Sequence, residues 1–209
     1  MGNLSRKEKD KLRHREHILD AALKLFSEKG FHNVSMQEIA KESEFSVGTL
    51  YNFFESKEQL FEELIKTGVE KICLILVPIL DSNKDEKTKI SEFFQAHVDL
   101  IEKNIGLIRL YISQYGKNTV STPEIQQISS AFKTIVSEKL TNIIREGIKK
   151  QHFRQIHPEI VTLSIRSTLE AFSFESSENF DRAKVKEGIS EIESFFISSL
   201  TKKEEGGND

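Results

Sequence analysis

Breakers are scarce in this chain of 209 residues. Three prolines and ten glycines cannot punctuate a fold of many short strands, and the stretches between them carry apolar residues at helical spacing. Cysteine is scarcer still: Cys73 alone excludes an internal disulfide and suits a reducing compartment. Within KICLILVPIL it reads as a small buried hydrophobe rather than a redox sensor. No apolar run is long enough for a bilayer, which needs roughly 20 residues; the run 72–80 is short and Pro78 interrupts it. The first residues are charged rather than apolar, so no secretory signal is expected, and MGNLSR has Arg6 where a myristoylation motif needs Ser or Thr. A Gly-rich phosphate loop, a nucleophile elbow and paired catalytic acids are also missing. His14 and His17 stand at i, i+3 with no carboxylate or thiol cluster beside them, and His152 and His157 flank a loop without a third ligand. The chain therefore reads as a cytoplasmic protein that is not an enzyme and takes no metal and no cofactor.

What is present is charge and apolar periodicity. A net charge of −3 argues against indiscriminate nucleic-acid binding, so any DNA contact must be local. The first fifteen residues hold a surplus of four positive charges, whereas residues 16–60 carry four basic against eight acidic groups. A basic arm over residues 1–15 either lies along phosphates or in a minor groove, or is a solvated terminus.

The periodicity predicts an all-α protein of about nine helices. The first runs from about Lys9 to Lys29, burying Ile18, Ala22, Leu25 and Phe26, with Gly30 as its stop. The fourth spans about 57–80, the fifth about 88–104, and the sixth ends near Gly116. Thr122-Pro123 opens a seventh helix to about Lys150. His157-Pro158 opens an eighth to about Phe174, and Asp181 caps a ninth reaching about Lys202. Two domains are expected: a three-helix head over residues 1–55 and a helical body over 56–203, followed by a disordered tail at 204–209. A continuous fourth helix would join head to body rigidly.

Residues 35–58, SMQEIAKESEFSVGTLYNFFESKE, hold the most specific pattern. Ser35 and Glu38 form a capping box, and Met36, Ile39 and Ala40 share one face. Glu44-Phe45 breaks the chain, and Ser46 caps a second short helix. There Val47, Leu50, Tyr51 and Phe54 at i, i+3, i+4, i+7 are expected to pack inward, leaving Gly48, Thr49, Asn52 and Phe53 outward. Ser56 and Gln59 open a third helix with Lys57 in its first turn. The helix dipole disfavours a cation there, and a docked phosphate would explain it. The spacing is that of a helix-turn-helix, whose second helix enters the major groove. Gly48 either lets the backbone approach a duplex or is a plain helix defect, Thr49 would offer a hydroxyl or a methyl to a base edge, and Asn52 would pair with adenine. Phe53 either meets a thymine methyl or sugar, or packs back on the first helix. Gln37 is either a phosphate or base contact, or solvated.

The run AALKLFSEKGF (21–31), with EIA (38–40) and VGTLYNFFESKEQLF (47–61), resembles the TetR family of bacterial transcriptional regulators over roughly the first 60 residues. The resemblance implies that Ser35, Ser46, Tyr51 and Lys57 contact phosphates and that Val47, Thr49 and Phe53 face bases or line the groove; it also sets against the adenine reading of Asn52 a position that often faces the DNA backbone. Phe53 departs from the commoner tyrosine or histidine.

One head makes too few base contacts for tight specific binding, so a homodimer on a palindromic operator of double-stranded DNA is expected. The eighth and ninth helices are the candidate interface, with Phe172, Ile189, Ile192 and Phe196; a terminal amphipathic helix could instead close its own body. The resemblance also implies a small-molecule effector held in the body, for which Phe94, His97, Tyr111, Tyr115, Phe132 and Arg166 are candidates. Arg166 and Glu170, at i, i+4, most simply form a surface salt bridge. The rival readings are an architectural DNA protein without an inducer and a helical ligand carrier whose head has lost DNA binding.

Overall fold

The computed structural model of the chain describes residues 5–115 and 122–201, with backbone alone for 111–115. The expected tail 204–209 and the first four residues of the expected arm lie outside the described residues, as do the side chains of Tyr111 and Tyr115. The described residues form α1 (Arg6–Lys29), a 3-10 turn (Phe31–Asn33), α2 (Met36–Glu42), α3 (Val47–Phe53), α4 (Lys57–Leu80), α5 (Glu86–Lys103), α6 (Ile105–Tyr115), α7 (Pro123–Lys149), α8 (Pro158–Glu178) and α9 (Arg182–Leu200). They contain no strand, and none of these helices is long and apolar enough to cross a membrane.

Most ends fall where the sequence places them, and the exceptions have local causes. The basic segment is not an arm from Arg6 onward, because Ser5 and Glu8 form a capping box that starts α1 three residues before Lys9. Such a cap stabilises a helix by about 1 kcal/mol. Asp85 accepts from the Thr88 N–H and starts α5 at Glu86. α8 continues past Phe174 to Glu178, since no glycine or proline stands in ESSE to stop it. Pro78 is tolerated inside the last turn of α4.

The chain divides into two compact units, residues 1–68 with 106–126, and residues 69–105 with 127–209. The first is larger than the expected head, because it takes in α6 and the start of α4. Its core gathers Ile18, Ala22, Phe26, Ile39, Leu50, Phe54 and Leu60, all essentially inaccessible. Phe26, Phe31 and Phe61 form a ring triangle with centroids 5.0–5.8 Å apart, the tilted and edge-on arrangement that aromatic quadrupoles favour. A Cβ on Gly68 would lie 2.4 Å from Leu107 Cδ2, and one on Gly106 3.3 Å from Leu23 Cγ. Both glycines therefore mark close approaches of α6 within this unit.

In the second unit the most extensive pairing is α5 with α9. The Phe94 ring stacks on Phe196 at 5.8 Å. Arg182 at the start of α9 bridges Asp99 (2.7 Å) and Glu102 of α5. The loop after α7 is fastened by Glu86, a buried carboxylate that accepts from Lys150 Nζ at 2.6 Å and His152 Nδ1 at 2.8 Å. Burial raises the Glu86 pKa, but these two hydrogen bonds outweigh it and hold the group at about 2. Phe153, also buried, fits against Gly147, where a Cβ would stand 2.2 Å from the ring.

Candidate nucleic-acid interface

The helix-turn-helix is assembled by caps. At the start of α2, Ser35 Oγ accepts from the Glu38 N–H (3.2 Å), and Glu38 Oε2 accepts from the Ser35 N–H (2.9 Å). Lys29, and then those serine contacts, hold the Glu38 carboxyl at about 2, so the box stays ionised at neutral pH. At the other end the Phe45 N–H reaches Ala40 O and the Glu44 N–H reaches Lys41 O. This is a Schellman closure with Glu44 in the left-handed region at φ 58°,. Ser43 is buried there, its hydroxyl donating to Ile39 O at 2.7 Å.

α3 begins with Ser46 Oγ accepting from the Thr49 N–H (3.0 Å), and the Ser46 and Thr49 hydroxyls lie 2.8 Å apart. Its end is held by a residue that periodicity does not flag. Arg15 of α1 donates Nη1 to Phe53 O (3.3 Å), pairs Nη2 with Glu63 (3.2 Å), and sets its guanidinium 4.5 Å from the Phe54 ring centre. One side chain thus supplies a donor to the C-terminal carbonyl of α3 and ties it to α1 and α4.

The face of α3 differs in part from expectation. Leu50 and Phe54 are fully buried and Val47 half-buried, but Tyr51 is 48% exposed. A helix of seven residues offers the core little more than one stripe, and Tyr51 falls at its rim. Gly48 and Asn52 are exposed as expected and Thr49 is half-buried. Phe53 is half-buried with its ring 6.5 Å from His14 of α1, the packing-back arrangement. His14 also meets Phe45 edge-on at 5.1 Å.

Beside α3 lies a shallow groove of about 380 Å³ lined by residues 32–38 together with Tyr51 and Lys57. Gln37 is exposed there. Lys57 does not wait for a phosphate to explain it. Its Nζ donates to Phe31 O (2.9 Å) and Val34 O (2.8 Å) and sits 4.3 Å from the Phe31 ring centre. These carbonyls and the ring face offset the unfavourable dipole of a helix start. Lys57 also lines the groove, so its charge stands where an anion in the groove would meet it.

The candidate effector residues are only partly gathered. Phe94 is fully buried, whereas His97, Phe132 and Arg166 are half-buried. Arg166 donates to Ser137 Oγ (2.7 Å) and Glu170 faces Lys133 (3.8 Å), so the expected Arg166–Glu170 pair does not form. Both side chains reach α7 instead of along their own helix. His97 Nδ1 lies 2.7 Å from Phe93 O; a carbonyl only accepts, so Nδ1 carries the proton. Burial drives the imidazole pKa down to about 4.

The expected dimer residues are redistributed. Ile189 and Phe196 are buried inside the unit, Phe196 against Phe94 of α5, because the strongest stripe of α9 closes its own body. Phe172 is half-buried against Gly188, where a Cβ would stand 2.4 Å from its ring, and Ile192 is half-buried. On these two helices the large apolar groups left outside are Ile160 (60% exposed) and Leu163 (58%) on α8, and Phe195 (70%) on α9; elsewhere in the unit Leu74, Ile75 and Ile135 are also exposed.

Residues 18–64 match the family model of the bacterial regulatory proteins, tetR family. The chain is 31% identical over 134 residues to the HTH-type transcriptional regulator YuxN of Bacillus subtilis, covering 64% of this chain and 43% of that protein. It is 24% identical over 155 residues to the HTH-type transcriptional repressor KstR2 of Mycobacterium tuberculosis, covering 74% of this chain and 76% of that protein. The solved structure of that ketosteroid regulator superposes with a TM-score of 0.75 at 20% identity, covering 90% of this chain and 95% of the other. The fatty acid degradation regulator FadR of Bacillus halodurans gives 0.73 at 18% identity, covering 90% and 96%. The match thus spans less than half of the YuxN chain and about three quarters of KstR2, and the likeness to the two structures is one of fold.

Proposed function

This chain belongs to the TetR family through its helix-turn-helix head, and from that premise we propose that it is a transcriptional repressor. Two copies bind a palindromic operator, each reading one half-site with α3, and a hydrophobic or amphipathic small molecule releases them. The observation that carries the reading is the face of α3. Gly48, Tyr51 and Asn52 stand exposed on a helix fixed at both ends, beside a groove that Tyr51 and Lys57 help to line. In this reading Asn52 and Thr49 meet base edges, Val47 and Phe53 line the groove wall, and Ser35, Gln37, Ser46, Tyr51 and Lys57 hold phosphates.

Pairing runs through the outer side of α8 and α9, where Ile160, Leu163 and Phe195 lie exposed. The effector class rests on the second unit's apolar interior and on the ketosteroid and fatty-acid roles named for KstR2 and FadR. Phe94, His97, Phe132 and Arg166 of that unit are its candidate contacts. Release acts by population shift, the ligand favouring a conformer whose two α3 helices are wrongly spaced for successive major grooves.

Lys57→Met tests the phosphate contact. It keeps the stem over Phe31 and removes the ammonium. Affinity for every DNA sequence is expected to fall alike, with the salt slope shallower by about one per half-site. The melting temperature should also drop, because Phe31 O and Val34 O lose their donor. Unchanged DNA affinity in a titration across salt concentrations would sink the role.

A further inference from the structure

We propose that the first three turns of α1 are a second DNA-contacting surface: a rigid basic rail along the phosphates flanking the bases that α3 reads, with Lys7 and Lys11 as its contacts. The proposal rests on α3 being the reading helix and extends the footprint beyond it.

Three observations carry it. First, the segment is ordered as helix. α1 reaches back to Arg6 under the Ser5–Glu8 box, while deep burial begins only at Ile18, so these turns project past the core. Secondly, their cations lack partners. Glu8 is engaged by the Ser5 N–H (2.8 Å) and hydroxyl (2.7 Å), and Asp10 by Arg13 (3.2 Å). Among the described residues, Arg6, Lys7, Lys9 and Lys11 are exposed and meet no acid. Lys7 and Lys11 stand at i, i+4, where like charges destabilise a helix by a few tenths of a kcal/mol. A phosphate backbone would reverse the sign of that cost.

Thirdly, the stripe has a direction. Lys7, Lys11, His14 and Ile18 recur at spacings of four, three and four, which keeps them on one face of a helix. On that face Ile18 is fully buried, and His14 meets Phe45 just before α3 and Phe53 at its end. The face that packs against α3 therefore continues past the edge of α3 as Lys11 and then Lys7. At 1.5 Å per residue they lie about 5 and 10 Å beyond His14 along the axis, at the rim of the reading surface. Arg6, Lys9 and Arg13 fall on the other side of the helix.

The test uses the full chain and a duplex selected from a random pool, in a long form with flanking base pairs and a form trimmed to the selected bases. Lys7→Ala with Lys11→Ala is expected to weaken binding to the long form several-fold and to flatten its salt slope by about two per half-site. Trimming should bring the wild type down to the variant while hardly changing the variant. Arg6→Ala with Lys9→Ala removes equal charge from the opposite side and should leave slope and length dependence nearly intact. The rail is overturned if the Lys7/Lys11 variant keeps the wild-type slope and length dependence, or if the Arg6/Lys9 variant loses as much. Failure of the wild type to select any duplex overturns the reading of α3 as well, which separates the two.

Discussion

Placing charge on the outer side of α8 and α9, by Leu163→Glu together with Phe195→Glu, is expected to leave a folded monomer that no longer binds its operator specifically. Both side chains are more than half exposed, at 58% and 70%, so the substitutions create no cavity and the core should survive. α8 and α9 are joined by a short connection and pack against one another, as consecutive antiparallel helices do. Phe172 meets Gly188, the close approach that seats one helix on the other. Two copies meeting across this side would bury both residues, and two added carboxylates per copy would face their symmetry mates. Losing one of two half-sites should drop affinity toward the non-specific level, roughly a thousandfold or more below specific binding. Sedimentation and DNA titration read the two consequences separately. A dimer that persists with full affinity would move the interface elsewhere.

Acid should weaken the second unit in two separable stages. The His97 imidazole titrates near 6.5 when unfolded and near 4 in the fold, because burial disfavours its charged form,. Between those values the unfolded chain binds a proton that the folded chain refuses, so stability falls as pH falls, by up to about 3 kcal/mol. Glu86 acts at lower pH. Its folded value is held at about 2 against an ordinary 4.5, so its contribution is present above 4.5 and is lost as pH falls toward 2. His97→Leu, which keeps an apolar group beside Phe93, should remove the first stage and leave the second. Urea denaturation at pH 7 and at pH 4.5 distinguishes them. Equal losses in wild type and variant over that interval would show that His97 does not carry the first stage.

Which parts of this molecule could be read from sequence follows from the range of the forces involved. The boxes at Ser35 and Glu38, the break at Glu44-Phe45 and the cap at Ser46 act within a few residues, and the structure has all three. The Ser5–Glu8 box is equally local; there the run of charge masks the cap and suggests a tail. Long-range choices were not legible. Periodicity finds an apolar stripe on α9 but cannot say what covers it, and Ile189 and Phe196 turn out to face the interior of their own unit. Phe195, the next residue along from Phe196, is left outside. Arg15 and Lys57 present another version of the limit. Arg15 is one cation among many in sequence and Lys57 an oddity at a helix start, and each becomes a clamp only when carbonyls from distant turns arrive beside it.

The central claim is that α3 reads base pairs, and sequence selectivity tests it most directly. Purified chain would be used to enrich duplexes from a random pool, and its affinity for the enriched and a scrambled duplex compared with that of Thr49→Ala plus Asn52→Ala. Both positions are accessible and outside the core, so the variant should fold. The account predicts an enriched sequence with two-fold symmetry, bound in a steeply salt-dependent way. It also predicts a variant that binds enriched and scrambled duplexes about equally. A pool that yields no enriched sequence, or a preference that survives both substitutions, would contradict it.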